Sequence, residues 1–411
     1  AADLPMFEPA IEVAVDDANT EEYGGRRFFL ENIFGGTIGI SDDQTFIAAL
    51  GVSFTDYLGD RRIVAYFQSV DSFSDFDIAY VNQSKRLQKM YRLYDRNDYW
   101  VFLDNDFDVR RRQLYSETGA TASIIYPIDF NARVEAGVGY AFREIDFVSQ
   151  AELPLEDAIN SGIYDEFLEE FGFGEATFEE KFQFLLPLVG DPADVPVIEP
   201  RDDNYPYLTA SLVGDTTVFG VWEPHAGRRY RLSASYAPNT DRQEGESSDL
   251  YVTGVLDFRQ YIPLSKSVRI AFRGYGYASS GDFPTPVYFG GLDTLRGYEF
   301  RSIAGDRGFY TNLELRFPIL NSLNLGAFRI NGLRGFAFLD VGGAYFGDLQ
   351  PDWECWDGDE DRLQDCLGSY GVGVSVNLFG LPFNWAFSRR YDFQETLSDG
   401  WDTSFWIGAK F

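Results

Sequence analysis

The chain has 411 residues, of which 17% are aromatic (25 Tyr and 38 Phe), yet its mean hydropathy is only −0.23. Sixty-five acidic residues against 34 basic ones give a net charge of −31, which excludes nucleic acid as a partner because phosphate repels such a surface. No stretch approaches the ~20 apolar residues that a membrane helix requires, so any bilayer-spanning form is restricted to a closed sheet. Only five residues are Lys against 29 Arg, which suggests a salt-rich habitat; acidic outer loops that bind divalent ions explain the same bias.

Residues 1–32 are acidic, lack periodicity and read as a periplasmic tail or as a linker from a further domain. The segment opens without a charged and apolar leader, so export implies that a signal peptide has been removed. From residue 33 to 411, segment after segment alternates with a period of two. Val134, Ala136 and Val138 oppose Arg133, Glu135, Gly137 and Gly139; Leu232, Ala234 and Tyr236 oppose Arg231, Ser233 and Ser235. A dry core would not accept so many inward Arg and Glu side chains, whereas a wet lumen would. The pattern predicts sixteen strands, at 35–41, 45–55, 61–70, 75–83, 87–100, 112–126, 131–146, 205–214, 227–238, 249–261, 267–278, 308–317, 332–344, 369–379, 382–391 and 402–411. The fold class is therefore an all-β, antiparallel transmembrane barrel whose lipids are its first partner.

Short turns after strands two, four, six, ten and fourteen belong on the periplasmic side, and long connections at 147–204, 279–307 and 345–368 outside. The 147–204 insertion is partly helical: Thr177-Phe-Glu-Glu180 has capping-box spacing, and Phe178, Phe182 and Leu185 share one helical face. It reads as a lid packed on its own barrel, with a partner-binding site as the alternative. Cys355 and Cys366, close together in a polar segment, predict one disulfide in an extracytoplasmic compartment. The first strand carries Gly35, Gly36 and Gly39 and the last carries Gly408. Glycine weakens a strand, which predicts a short ladder at this seam; the competing explanation is that these glycines accommodate bulky lumen side chains.

Tyr288-Phe-Gly-Gly-Leu-Asp-Thr-Leu295-Arg296-Gly297-Tyr298 and the following Glu314-Leu-Arg-Phe-Pro318, with Phe338-Leu-Asp340-Val-Gly342 further on, are the most specific stretches. They resemble the sixth extracellular loop and adjoining strands of the BamA-like assembly and translocation barrels, the bacterial surface antigen family. The resemblance is best over 248–411 and implies that residues 279–307 fold into the lumen, where Arg296 pairs with Asp340. Phe405, Ile407, Ala409 and Phe411 resemble the C-terminal signal read by the barrel assembly machinery; they also suit a lipid-facing last strand. The chain departs from classical members in having no room for periplasmic POTRA repeats.

For catalysis the sequence offers a single histidine, His225, and no Gly-x-Ser-x-Gly elbow, so no enzyme, metal site or cofactor is expected. The resemblance implies a membrane subunit that assists protein insertion into, or passage across, the outer membrane beside periplasmic or lipoprotein partners. The alternatives are a non-conducting anchor for periplasmic or surface partners and, less well matched to a lumenal loop and lid, a diffusion pore.

Overall fold

The computed structural model describes residues 27–40, 46–70, 73–104, 109–147, 155–160, 162, 164–174, 176–189, 200–220, 223–240, 247–325, 328–378, 381–398 and 400–408. Sixteen strands form one closed antiparallel sheet: β1 (Phe28–Ile40), β2 (Phe46–Asp56), β3 (Arg61–Val70), β4 (Phe73–Asn82), β5 (Gln88–Asp104), β6 (Val109–Pro127), β7 (Ala132–Phe147) and β8 (Arg201–Asp215) make the first half. The second half comprises β9 (Pro224–Pro238), β10 (Asp249–Pro263), β11 (Arg269–Ser280), β12 (Arg307–Leu325), β13 (Phe328–Tyr345), β14 (Leu367–Leu378), β15 (Leu381–Tyr391) and β16 (Asp402–Ile407). Each pairs with its chain neighbour, and β1 with β16 completes the ring.

The alternation decides which face is greasy. Val138, Phe142, Leu208, Leu232 and Val372 stand exposed on the outer face, whereas Glu117, Arg143, Tyr205, Asn312 and Asp340 are buried inside. Exposed apolar side chains in such a band are what a bilayer solvates, and every backbone group of a closed sheet has a partner within it.

The first strand and the β12–β13 pair depart from the sequence expectation in ways that have a physical reason. The first strand begins at Phe28, paired with Asp56, so residues 28–32 belong to the wall rather than to a tail. Phe28, Phe29 and Leu30 are all exposed, on both faces, which hides the period of two there. Strands β12 and β13 run on to Leu325 and from Phe328; Pro318 does not end the strand but sits at a bulge between Pro318 and Leu320. Proline lacks the N–H that a ladder needs, and a bulge is where its absence is tolerated. The last strand, β16, is described from Asp402 to Ile407; of its expected residues, Ala409 and Phe411 lie outside the described residues.

Connections 57–60, 83–87, 128–131, 216–223 and 264–268 lie at one end of the barrel, and 148–200, 239–248, 281–306, 346–366 and 392–401 at the other. In the first of these long segments, α1 (Leu155–Asn160), α2 (Asp165–Glu170) and α3 (Phe178–Val189) bury Leu155, Ile159, Leu168 and Leu185 together. A disulfide joins Cys355 and Cys366, whose Cα atoms are 4.6 Å apart, around the small hairpin of Trp356–Asp357 and Arg362–Leu363. Among the described residues no three Asp, Glu, His or Cys side chains converge as a cation site.

The α3 capping box is formed. The Thr177 N–H donates to the Glu180 carboxylate at 2.9 Å, and the Glu180 N–H donates to the Thr177 hydroxyl at 3.4 Å. The Thr177 N–H holds the Glu180 carboxyl below its ordinary range. A depressed carboxylate stabilises the fold above its unfolded pKa, ~4.3, and that contribution disappears as pH falls through the folded value. The amide protection factors across 178–189, corrected for the intrinsic pH dependence of exchange, should fall on acidification through that window, and the step should be absent in Glu180→Gln. Equal profiles in both proteins would show that the cap carries none of the effect.

Candidate functional site

Residues 281–306 join β11 to β12 by folding inward. Val287–Phe289 pairs antiparallel with Ile303–Gly305, making a narrow hairpin whose far end is residues 290–302. Gly290 turns with φ +108°, and a Cβ there would lie 2.1 Å from the Glu299 carbonyl oxygen, so only glycine fits. Leu295 and Arg296 are completely buried. The Arg296 Nε and Nη2 each donate at 2.6 Å to the two oxygens of Asp340, and Nη1 donates at 2.6 Å to Glu314. Its guanidinium lies 3.5 Å from the centroid of the Phe338 ring. Glu314 comes from β12 and Phe338 and Asp340 from β13, all at inward positions set by the two-residue period. Such a fork is bidentate and charge-assisted, and the ring covers the remaining face of the cation. Gly297, at φ +84°, turns the chain away, and the Tyr298 hydroxyl then donates to the Gly368 carbonyl at 2.9 Å.

Two further arginines hold the same loop. Arg143 of β7, buried, stacks 3.7 Å from the Phe283 ring centroid and donates to the Phe283 carbonyl at 2.8 Å and the Thr285 hydroxyl at 3.3 Å. Arg301 forms an ion pair with Asp98 of β5 and donates to the Asn97 carbonyl at 3.4 Å. In a ring of sixteen strands, β5 and β13 are eight apart, on opposite walls. The loop is thus a cross-tie through the lumen. Beside it remains a polar cavity of about 520 Å³ lined by Tyr94, Tyr115, Glu117, Tyr207, Glu135 and Arg231, among others.

From Glu314 the charges continue in alternation toward the short-turn end. Arg316 donates to Glu314 at 2.7 Å and to Glu223 at 3.2 Å, and Glu223 also accepts Arg269 at 2.9 Å and pairs with Arg334.

At the closure, the described ladder between β1 and β16 consists of Ile38↔Ile407, Gly39↔Trp406 and Ile40↔Phe405. Next to it, β15 and β16 pair from Phe383↔Ile407 to Ser388↔Asp402. Gly408, at φ +120°, spends both backbone groups on the β15 side: its N–H donates to the Pro382 carbonyl at 2.8 Å and its carbonyl accepts the Asn384 amide at 2.9 Å. Among the described residues, Phe28–Thr37 pair on one side only, with β2. The glycines divide in role. A Cβ on Gly39 would approach Leu292 and Trp406 at 3.1 and 3.3 Å, so this glycine makes room for lumen side chains; a Cβ on Gly36 would meet nothing. The stretch at Gly35 and Gly36 lies in a register shift between Phe34 and Thr37.

A profile of the Omp85 superfamily domain matches residues 51–411. The chain belongs to the Omp85 superfamily. This Omp85 barrel resides in the bacterial outer membrane. A comparison with curated protein sequences finds no match. Among solved structures it is similar to BamA from Haemophilus ducreyi lacking POTRA domains 1–3, at 14% identity and a TM-score of 0.57, covering 93% of this chain and 70% of that one. CdiB from Escherichia coli (11% identity, TM-score 0.52, 90% and 62% covered) and CdiB from Acinetobacter baumannii (11%, 0.51, 91% and 59%) follow. The chain thus spans about three fifths of the two CdiB chains. At these identities the likeness is one of fold.

Of the residues singled out from sequence, the Omp85 barrel brings Leu295, Arg296, Gly297, Glu314, Phe338 and Asp340 into one cluster, with Tyr298 beside it bonded to Gly368 of β14. Gly39 pairs with Trp406 at the closure while Gly408 bonds to β15, and Phe405 lies against Trp385 with ring centroids 5.0 Å apart. Arg143, Arg301 and Glu223 were not marked by any motif. Arg143 binds a backbone carbonyl and an aromatic face, partners that carry no spacing signal. Glu223 lies in a turn that the pattern leaves blank.

Replacing Asp340 by Asn leaves the Arg296 cation buried with Glu314 alone, a loss of up to ~3–5 kcal/mol for a dry site. Arg296→Lys should not restore stability, since an ammonium cannot reproduce the fork. Asp98→Asn, at a pair about one-third exposed on the acidic side, should cost about 1 kcal/mol or less. Urea unfolding of the refolded barrel reads all three; equal costs at Asp340 and Asp98 would refute the ranking.

Proposed function

We propose that this barrel assists the insertion of proteins into the outer membrane, or their passage across it, as the membrane subunit of a larger complex with periplasmic or lipoprotein partners. The observation that supports the reading is the β1 edge. From Phe28 to Thr37 it has no described partner on its β16 side, and Phe29, Leu30 and Ile33 on it are exposed. An unpaired edge presents a row of N–H and C=O groups, and in a bilayer each unsatisfied group costs several kcal/mol. An incoming strand that adds to β1 would satisfy those groups through main-chain hydrogen bonds. Separating β1 from β16 breaks the shortest ladder among the described residues. We assign the end with the long connections to the outside, with 148–200 an outer insertion, and the part of the β1 edge without a described partner to the periplasmic side, where an unfolded client arrives.

The cross-tie from β5 to β13 supports the second reading, a non-conducting anchor, because it holds the walls at a fixed distance. A disulfide across the seam separates the two. Ile38→Cys with Ile407→Cys places the new pair at registered positions. In cells that depend on this protein, oxidation should stop outer-membrane assembly and a reductant should restore it. Undiminished assembly with the seam fully crosslinked would dismiss lateral opening and leave the anchor.

A further inference from the structure

We infer that the lipid-facing rim where β5 and β6 reach the short-turn end binds the headgroup of an anionic phospholipid. Met90, Arg92 and Tyr94 of β5 and Thr121 and Ser123 of β6 line the lumenal cavity. By the two-residue period, Lys89, Tyr91 and Leu93 therefore face outward beside Ile124 and Tyr126. Those four apolar side chains are exposed, as is Leu87 on the turn side of Lys89. Lys89 is exposed too, and in register it stands between Asn82 of β4 and Ile124 of β6. A cation is thus set inside the rim of the apolar band, with Leu87 on one side of it and Tyr91 on the other.

Lys85 and Arg86 lie in the adjoining turn, so residues 83–89 hold three cations and no acid. Two of the five lysines of a chain of net charge −31 stand here, whereas 346–366 at the other end carries eight carboxylates against Arg362 alone. The neighbouring turns do not cancel the cluster. Asp60 is followed by Arg61 and Arg62, and the Asp129 carboxylate accepts the N–H groups of Asn131 and Ala132. Arg86 is braced against β6: its guanidinium carbon lies 4.9 Å from the centroid of the Tyr126 ring, and Nη2 donates to the Pro127 carbonyl at 3.4 Å. That bond uses one of the five N–H donors of a guanidinium, whose planar fork suits phosphate oxygens. Lys89 adds a point charge, its stem along the apolar wall and its ammonium at headgroup level.

The occupant follows from the place. The wall beside the cluster is solvated by acyl chains, so an anion that reaches Arg86 and Lys89 while Tyr91 and Ile124 stay in hydrocarbon carries acyl chains of its own. An acidic protein segment would have to displace lipid from the wall to make the same contacts. Cations at a membrane surface gain from anionic headgroups over about a Debye length. The inference goes beyond the proposed function, since an insertase and an anchor alike present this rim to lipid.

The test places the full chain in nanodiscs of phosphatidylcholine doped with phosphatidylglycerol and counts the retained lipids by native mass spectrometry. Phosphatidylglycerol should be retained in preference, and added salt should weaken that preference. Arg86→Gln and Lys89→Gln should each weaken it about fivefold, equivalent to about 1 kcal/mol per cation. Lys89→Arg should keep it, and Lys266→Gln, at another short turn, should leave it unchanged. Neither glutamine variant removes a buried group, and gel mobility with and without heating verifies a closed barrel in each. An excess of inorganic phosphate should not displace the lipid. Equal retention of the two lipids, retention unchanged in both glutamine variants, an equal loss in Lys266→Gln, or displacement by inorganic phosphate would overturn the site.

Discussion

Lipid offers no hydrogen bonds, and that constraint organises everything else in this molecule. A sheet that crosses a bilayer must close on itself. Fifteen of the sixteen contacts between neighbouring strands join segments whose registers run over six residues or more, and the sixteenth closes the ring with three described pairs. A ring is only as secure as its weakest ladder. The lumenal loop relieves that weakness by joining β5 to β13 through the middle, so that the walls are held by more than their circumference.

The loop is held by arginines, and the choice of residue follows from the environment. A buried ion pair adds little net stability, because desolvating two charges offsets most of their attraction. What it imposes is geometry: a fork with two oxygens on one side and a ring on its face admits one position. Asp340, Glu314 and Phe338 therefore fix where residues 290–302 lie more than how firmly the barrel resists unfolding. The same logic explains how a strongly acidic protein can have an arginine-rich lumen. Outer loops meet water and salt, where acid is cheap to expose, while the inner wall must match partners one by one.

The parts legible in sequence were those with a local rule behind them. Period-two alternation located most of the sixteen strands because inward and outward faces meet different solvents. The Leu295–Tyr298 element, Glu314 and Asp340 were legible because glycine, fork and carboxylate are each the one residue type for the task. Boundaries were misread where the rule fails. At Phe28–Leu30 both faces are exposed, and at Pro318 a bulge tolerates what a regular ladder would not. Arg143 was illegible for another reason. It looks like any inward arginine, and its partners, a carbonyl and a benzene ring, become visible only when the loop lies beside it.

The distribution of those pins has a mechanical consequence. Arg143, Arg296, Arg301 and Tyr298 attach the loop to β7, to β12 and β13, to β5 and to β14. At the seam its contact is of another kind: Leu292 packs with Trp406 and Phe336 in an apolar cluster. Apolar contacts are non-directional and lose energy in proportion to area, whereas a forked ion pair breaks all at once. Parting β1 from β16 would therefore expose Leu292 and Trp406 gradually while leaving every charged pin in place. On the proposed reading, the wall from β1 to β4 would swing against a frame that the loop holds, and the lumen would not have to be dismantled for the seam to open.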